Sequence, residues 1–351
     1  MAFSLKSCVF PVNPLAPRLQ PPLPPRQAHP HIVPFLSPTV RRISQRNRPS
    51  PSPPNLSLAP RAEGPGSLKS RLTAGEQLYG IFIMSFSPTL AEIAGFCGYD
   101  YAVVDLEHGS GDVFAALPVL RALEATGVPA VIRLPELDAT WAKRALDLGP
   151  QGIMFPMIDS PKDARRAVSY CRYPPRGVRG AAHPVVRASR YGIDDDYLSR
   201  CEEELLVMCQ IETEDAVKKV EEIAAVEGVD CLQMGPLDLS ANMGYLWDPG
   251  NKKVKEVLYK VEKTVLASKG DVSDGSSSSG GAYLAGFARG EDTGEKLKER
   301  GYHMVAGAVD VALFRDAALR DIRKFRESGR TSPSEEDDDD DDKKDEKYWS
   351  E

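Results

Sequence analysis

The stretch YDYAVVDLEHGSG, residues 99–111, ends an apolar run in two carboxylates and an imidazole: Asp105, Glu107 and His108, followed by a Gly-Ser-Gly loop. Groups of these types hold cations and move protons, and an imidazole changes charge near neutral pH. Arg133 interrupts VPAVIRLPE at a position otherwise expected to be apolar. A guanidinium there needs a carboxylate or a developing oxyanion as partner; a structural ion pair with a neighbouring strand would answer the same need. Gln210 and Glu212 lie two apart in CQIET, so a strand points both to one side. Asp238 follows in MGPLDLS. Glu212 and Asp238, without histidine or thiolate partners, make a hard-oxygen pair suited to Mg2+ or Mn2+, with water and substrate oxygens completing the shell. A plainer use is open to both, Glu212 capping a helix TEDAVKKV and Asp238 capping LDLSANMG. Three histidines follow residue 62: His108, His183 and His303. His183 lies in a loop after VRGAA that could reach the same site, whereas His303 opens an apolar run and suits a core or floor position.

Residues so far apart in sequence converge only if the intervening elements bring them together. From Tyr79 onward, short apolar runs rich in β-branched residues recur as YGIFIMS, YAVVDLEH, PAVIRL, QGIMFPM, LLVMCQIE, VDCLQMGP, AYLAGFA and YHMVAGA. Between them, TWAKRALDLG, SPKDARRAVSYC, EDAVKKVEEIAAV and EDTGEKLKERG place apolar residues three or four apart with charges opposite. Near-continuous apolar strands separated by helices predict a parallel sheet covered on both faces. Eight such units in about 260 residues predict an α/β fold of the (β/α)8 TIM-barrel type rather than an open doubly wound sheet. Catalytic residues of such a barrel sit at the strand C-terminal ends, where Asp105, Glu107, His108, Arg133, Gln210, Glu212 and Asp238 all fall. SLKSRLTAGEQL reads as a helix closing the barrel floor and VDVALFRDAALRDIRKFRES as the last long helix. SKGDVSDGSSSSGG, residues 268–281, reads as a flexible insert. No strand run contains a lysine, which disfavours Schiff-base chemistry.

The ends differ from this body. Residues 1–62 contain eight Lys or Arg, no Asp or Glu, and fifteen of the 29 prolines. That composition predicts disorder and, beginning MAFSLKS, an organellar transit peptide similar to a plastid targeting segment; a Pro-rich linker or adaptor-binding tail is the alternative. The last stretch, SEEDDDDDDKKDEKYWSE, carries eleven acidic and three basic residues and is expected to stay extended. The domain expectation is therefore a transit peptide over 1–62, a barrel over 63–330 and an acidic tail over 331–351. The body keeps a net charge of −7 once the +8 and −8 ends are set aside, which argues against nucleic-acid binding. No run approaches the roughly 18 apolar residues of a membrane span. The six cysteines include no C-x-x-C pair and no zinc-site spacing, so most of them read as reduced core residues.

Six motifs in order, VVDLEHG, VIRLP, GIMFPMIDSPKDA, YPPRGVRG, CQIET and MGPLDLS, resemble the HpcH/HpaI family of class II pyruvate aldolases, in a plastid-targeted plant member. The match runs from about Gly80 to Asp316. The resemblance implies a phosphoenolpyruvate/pyruvate-type barrel that cleaves a 4-hydroxy-2-oxo acid to pyruvate, or a close 2-oxo acid, and an aldehyde. It implies His108 as acid/base and Arg133 on the pyruvyl oxygen and enolate; Asp105, at the start of DLEH, is expected to order the local polar network beside them. Glu212 and Asp238 would be ligands of a divalent metal, Mg2+ or Mn2+ with Co2+ also admitted, and Gln210 would bind substrate. Asp147, fourteen residues after the arginine, would raise the histidine's basicity. Leu237 would offer a backbone amide to the substrate carboxylate. A homo-oligomer is also implied, a hexamer built from dimers that exchange the last barrel helix. Two alternatives accompany this reading: an acyl-CoA lyase resembling the citrate lyase β-subunit, and a non-catalytic barrel acting as an assembly subunit.

Overall fold

The computed structural model describes residues 66–248, 250–269, 281–290 and 292–328; the transit-peptide and acidic-tail expectations, and most of the 268–281 insert, lie outside them. Eight parallel strands close in sequence order: β1 (Leu78–Ile83), β2 (Tyr101–Asp105), β3 (Ala130–Arg133), β4 (Gly152–Phe155), β5 (Leu206–Ile211), β6 (Cys231–Met234), β7 (Tyr283–Phe287) and β8 (Met304–Val309). Six fall within one of the eight apolar runs, while β1 begins one residue before its run, at Leu78, and β8 ends one residue after its run, at Val309. The helices are α1 (Leu68–Thr73), α2 (Pro88–Cys97), α3 (Val113–Ala125), α4 (Ala139–Asp147), α5 (Pro161–Cys171), α6 (Tyr197–Glu204), α7 (Glu214–Lys218), α8 (Val220–Ala224), α9 (Pro236–Asn242), α10 (Lys252–Lys269), α11 (Gly294–Glu299) and α12 (Asp310–Ser328). The fold is a (β/α)8 TIM barrel.

Apart from the exposed Tyr79 and the half-buried ends of β7 and β8, the strands are buried on both faces, and the two faces have different occupants. Outward residues such as Val104, Ile132, Ile153 and Val207 pack against the helices in one large apolar cluster. Inward residues, two apart along each strand, form a second: Leu78 and Phe82, Tyr101 and Val103, Val131, Met154, Leu206 and Met208, Cys231, Met304 and Ala306. Leu68 and Leu72 of α1 join that inner cluster, and Leu68 N–H donates to Gln151 Oε1 at 3.1 Å, so α1 closes the floor as expected. His303 also sits at the floor, its Nδ1 accepting from Leu284 N–H at 3.0 Å.

Several elements depart from the sequence reading. EDAVKKVEEIAAV is two short helices, broken at Lys219, whose φ of −116° and ψ of 15° leave the helical region. Its cap is Thr213, whose hydroxyl accepts from Ala216 N–H, so Glu212 is released from the capping role. Helix α9 has Gly235 as its N-cap, which releases Asp238 likewise. Helix α10 continues through Ser268 and Lys269, two residues assigned to the insert. Between α5 and β5 lie a 3-10 turn, Arg187–Gly192, and α6, two elements beyond the strand–helix alternation expected from the sequence. Helix α12 is present at its expected place but exposed along its length: only Asp310 is buried. No helix among the described residues is long and apolar enough to cross a membrane.

Candidate active site

In β2, β3, β5 and β6 the inward series is apolar at the floor and in the middle and turns polar at the C-terminal end. Strand pairing places Asp105 beside Arg133 and Gln210 beside Gln233, so these two polar pairs line the upper layers of the barrel under the mouth. All four are buried. Arg133 Nε and Nη2 reach Asp105 Oδ1 and Oδ2 at 2.9 and 2.5 Å, a bidentate pair, and the guanidinium stacks 5.1 Å from the centroid of Phe82. Asp105 Oδ1 also accepts from the N–H of Glu107 at 3.0 Å and of His108 at 3.4 Å. One carboxylate thereby fixes both the arginine and the start of the loop that carries the histidine. Burial works against the charge of Arg133, but the bonds and charge of Asp105 outweigh it and raise its pKa.

Above these layers the site is acidic. Arg133 Nη1 lies 2.9 Å from Glu107 Oε2, a second ion pair on the same guanidinium. His108 Nε2 lies 4.0 Å from the same oxygen, with the imidazole 57% exposed. Burial raises the pKa of Glu107 against the opposing charges of Arg133 and His108. Glu212 is buried just past β5; Oε1 accepts from Gln210 Nε2 at 2.8 Å and Oε2 from Met157 N–H at 2.9 Å. Met157 supplies that N–H from a left-handed conformation, φ +52°. Gly235 supplies room, since a Cβ there would stand 2.4 Å from Glu212 Oε1. Burial first, then repulsion from Glu107 and Asp238, push the Glu212 carboxyl up to about 7, although the Met157 N–H works the other way. Asp238 is exposed at the rim in the first turn of α9, beside the exposed Leu237. The Gly235 cap makes no side-chain bond to that turn, so the first-turn N–H groups are unclaimed by a cap.

Asp105 and Glu107 thus hold the guanidinium, Glu212 and Asp238 add negative charge beside them, and the buried Gln210 Oε1 lacks a donor. Hard-oxygen groups with excess negative charge and an unclaimed acceptor fit a divalent cation of the Mg2+ or Mn2+ type. The fit is to a two-carboxylate site completed by water and substrate: among the described residues, no three His, Cys, Asp or Glu side chains form a ready-made cage.

Two expected participants lie elsewhere. A helix that follows a barrel strand runs back toward the floor, so Asp147 at the end of α4 is carried away from the mouth. There it pairs with the buried Arg179 at 3.4 Å. Within one chain it does not reach His108. His183 occupies the loop between α5 and β5, also at the floor end, where its carbonyl accepts from the Ser189 hydroxyl. Conversely, sequence reasoning missed Gln233, Phe82, Gly235 and the Met157 N–H. Only Gln233 left a signal, a polar residue within an apolar run.

A closed barrel with an acidic, arginine-anchored mouth and no strand lysine defines a carbon–carbon lyase of the TIM-barrel class once it is set beside its relatives. Residues 78–317 match the family described as HpcH/HpaI aldolase/citrate lyase. A hydroxypyruvate/pyruvate aldolase of Delftia acidovorans is 34% identical over 263 residues, 75% of this chain and 93% of that protein. A 2-keto-3-deoxy-L-rhamnonate aldolase of Escherichia coli is 33% identical over 266 residues, 76% of this chain and 94% of that protein. The crystal structure of an HpcH/HpaI aldolase/citrate lyase family protein from Burkholderia cenocepacia superposes with a TM-score of 0.67 at 33% identity, covering 74% of this chain and 98% of that one. The chain belongs to the HpcH/HpaI aldolase family.

Proposed function

We propose that the protein is a metal-dependent aldolase that cleaves a 4-hydroxy-2-oxo acid to pyruvate, or a close 2-oxo acid, and an aldehyde. The observation that carries this reading is the single guanidinium held in place by Asp105 among carboxylates at the barrel mouth. A divalent cation held by Glu212 and Asp238 would supply Lewis acidity toward the carboxylate and keto oxygens of the 2-oxo acid. Arg133 offers its charge where negative charge develops on the 2-oxygen; because Asp105 holds it already, little reorganisation is needed at the moment of reaction. Gln210 and the first-turn amide of Leu237 orient the pyruvyl end. His108, half out of the protein surface, takes the proton of the C4 hydroxyl as the C3–C4 bond breaks, the aldehyde leaves, and C3 of the remaining enolate is then protonated. The buried floor contributes only rigidity.

The test is a screen for pyruvate release from a panel of 4-hydroxy-2-oxo acids with and without Mg2+, Mn2+ and Co2+. Release without dependence on any of the three would overturn the metal assignment; no release from any member would overturn the substrate class.

Two further proposals concern the whole chain. Its sequence supports import into a plastid with removal of about residues 1–62; a native protein whose N-terminal sequence begins at Met1 would refute this. It also supports a homo-oligomer, a hexamer of dimers that exchange α12. Strand β8 adjoins β1, so the helix after β8 would ordinarily lie beside α2. Instead α12 leaves Leu313, Phe314 and Phe325 exposed, and α2 leaves Ile93 and Phe96 exposed. Such faces call for a partner surface. Any action of Asp147 on His108 would then have to come from a second copy.

A further inference from the structure

The end of β8 leads into one more mouth carboxylate, Asp310, which has no part in the chemistry above. It is buried, and both its oxygens are engaged. Oδ1 accepts from the N–H of Met84 at 2.9 Å and of Val311 at 2.7 Å; Oδ2 accepts from the N–H of Ser85 at 3.1 Å and from its hydroxyl. Met84 and Ser85 begin the loop between β1 and α2, at the mouth. The next residue, Phe86, is buried and stands at φ +55°, a conformation that a bulky residue keeps only when its surroundings over-determine it.

The ring of Phe86 lies against the loop that follows His108. A Cβ on Gly109 would stand 2.5 Å from Phe86 Cε2 and 2.3 Å from the Asp105 carbonyl oxygen; one on Gly111 would stand 2.4 Å from the ring. Only glycine permits this approach on both sides of Ser110. The two loops are also bonded, Ser110 N–H donating to the Met84 carbonyl at 3.2 Å, while Gly109 N–H donates to the Asp105 carbonyl at 3.2 Å. The His108 imidazole is mostly exposed, with Glu107 Oε2 the carboxylate oxygen beside it at 4.0 Å. Its aim is therefore set by the backbone beneath it rather than by a side-chain partner.

We propose that Asp310 and Phe86 are positioning residues, which hold the Gly109–Gly111 loop and so aim the His108 imidazole into the barrel mouth. The inference rests on the reading of His108 as acid/base, and it makes the start of α12 part of the active-site scaffold. A misplacement of about 1 Å in a catalytic group can cost on the order of 100-fold in rate. Asp310→Asn and Phe86→Leu, made in the full chain, should therefore lower kcat for pyruvate release about 10- to 100-fold while leaving KM and pyruvate binding within about threefold of the parent.

A second readout is independent of turnover. Amide hydrogen exchange in residues 106–112 should accelerate in both variants, with the rest of the barrel and the melting temperature little changed. Parental exchange in that segment together with parental kcat would overturn the proposal. So would exchange that accelerates throughout the barrel with a matching fall in melting temperature, since the role would then be structural only. His108→Ala serves as the control. If it cleaves at the parental rate, the acid/base assignment fails and the positioning role with it; if it is impaired while Asp310→Asn and Phe86→Leu are not, only the positioning role fails.

Discussion

At the scale of single residues, the site divides into groups that react and groups that hold them. His108→Ala should keep cation and pyruvate binding and lose about 10²–10⁴ in cleavage rate, the usual worth of a general acid/base; titration calorimetry and a pyruvate-release assay separate the two effects. Glu212→Ala or Asp238→Ala should abolish metal dependence, and Arg133→Ala should weaken both pyruvate binding and turnover. Asp105→Ala is expected to be costlier to the fold than any of these, since it strands a buried guanidinium; about 3–5 kcal/mol of stability should be lost in urea unfolding. Gly235→Ala tests a space rather than a group. The new methyl would meet Glu212 Oε1 at 2.4 Å, so Mn2+ affinity should fall at least tenfold with little change in helix content, and parental affinity would refute the steric reading.

At the scale of elements, short helices depend on their caps. Thr213 accepts from Ala216 N–H at 3.1 Å and donates to Asp159 Oδ1 at 2.5 Å, tying α7 to the loop after β4. Thr213→Ala should cost about 1–2 kcal/mol, the range for a lost N-cap, measured as a lower urea midpoint at unchanged m-value. EDAVKKVEEIAAV has the pattern of one amphipathic helix, yet Lys219 divides it into two. Periodicity could not reveal the break, because the apolar positions keep their spacing across it. Helix α12 shows the same limit in another form: its boundaries were legible, but whether its apolar face is covered was not. Phe314→Glu with Phe325→Glu should reduce the molecular mass seen by light scattering, and an unchanged mass would argue against assembly through α12.

At the scale of the molecule, the floor supplies a stability that varies with pH apart from the chemistry at the mouth. Burial, with the Lys269 charge nearby, lowers the pKa of His303 below its ordinary 6.5. The folded state therefore disfavours the proton that the unfolded chain takes up more readily. Stability from this source is fully present above about pH 6.5 and is lost as pH falls through the lower folded value. Urea midpoints measured from pH 8 to pH 5 should decline in the parent below that point and decline less in His303→Gln. Equal slopes would show that other groups carry the dependence.

The amino-acid sequence determined by itself whatever depends on neighbours along the chain. The eight apolar runs and their alternation with helices prescribed the barrel, and polar residues at strand ends marked Asp105, Arg133, Gln210 and Glu212 as the mouth. What depends on register, direction and closure was decided only by the tertiary structure. Asp105 grips Arg133 because β2 and β3 pair in one particular register. Gly235 is needed because β6 carries it alongside Glu212. Asp147 and His183 fall at the floor because helices run back from the mouth, so that sequence separation says nothing of distance to His108. Asp310 reaches Met84 and Ser85 across 225 or more positions because the last strand closes on the first, a contact that no local pattern encodes.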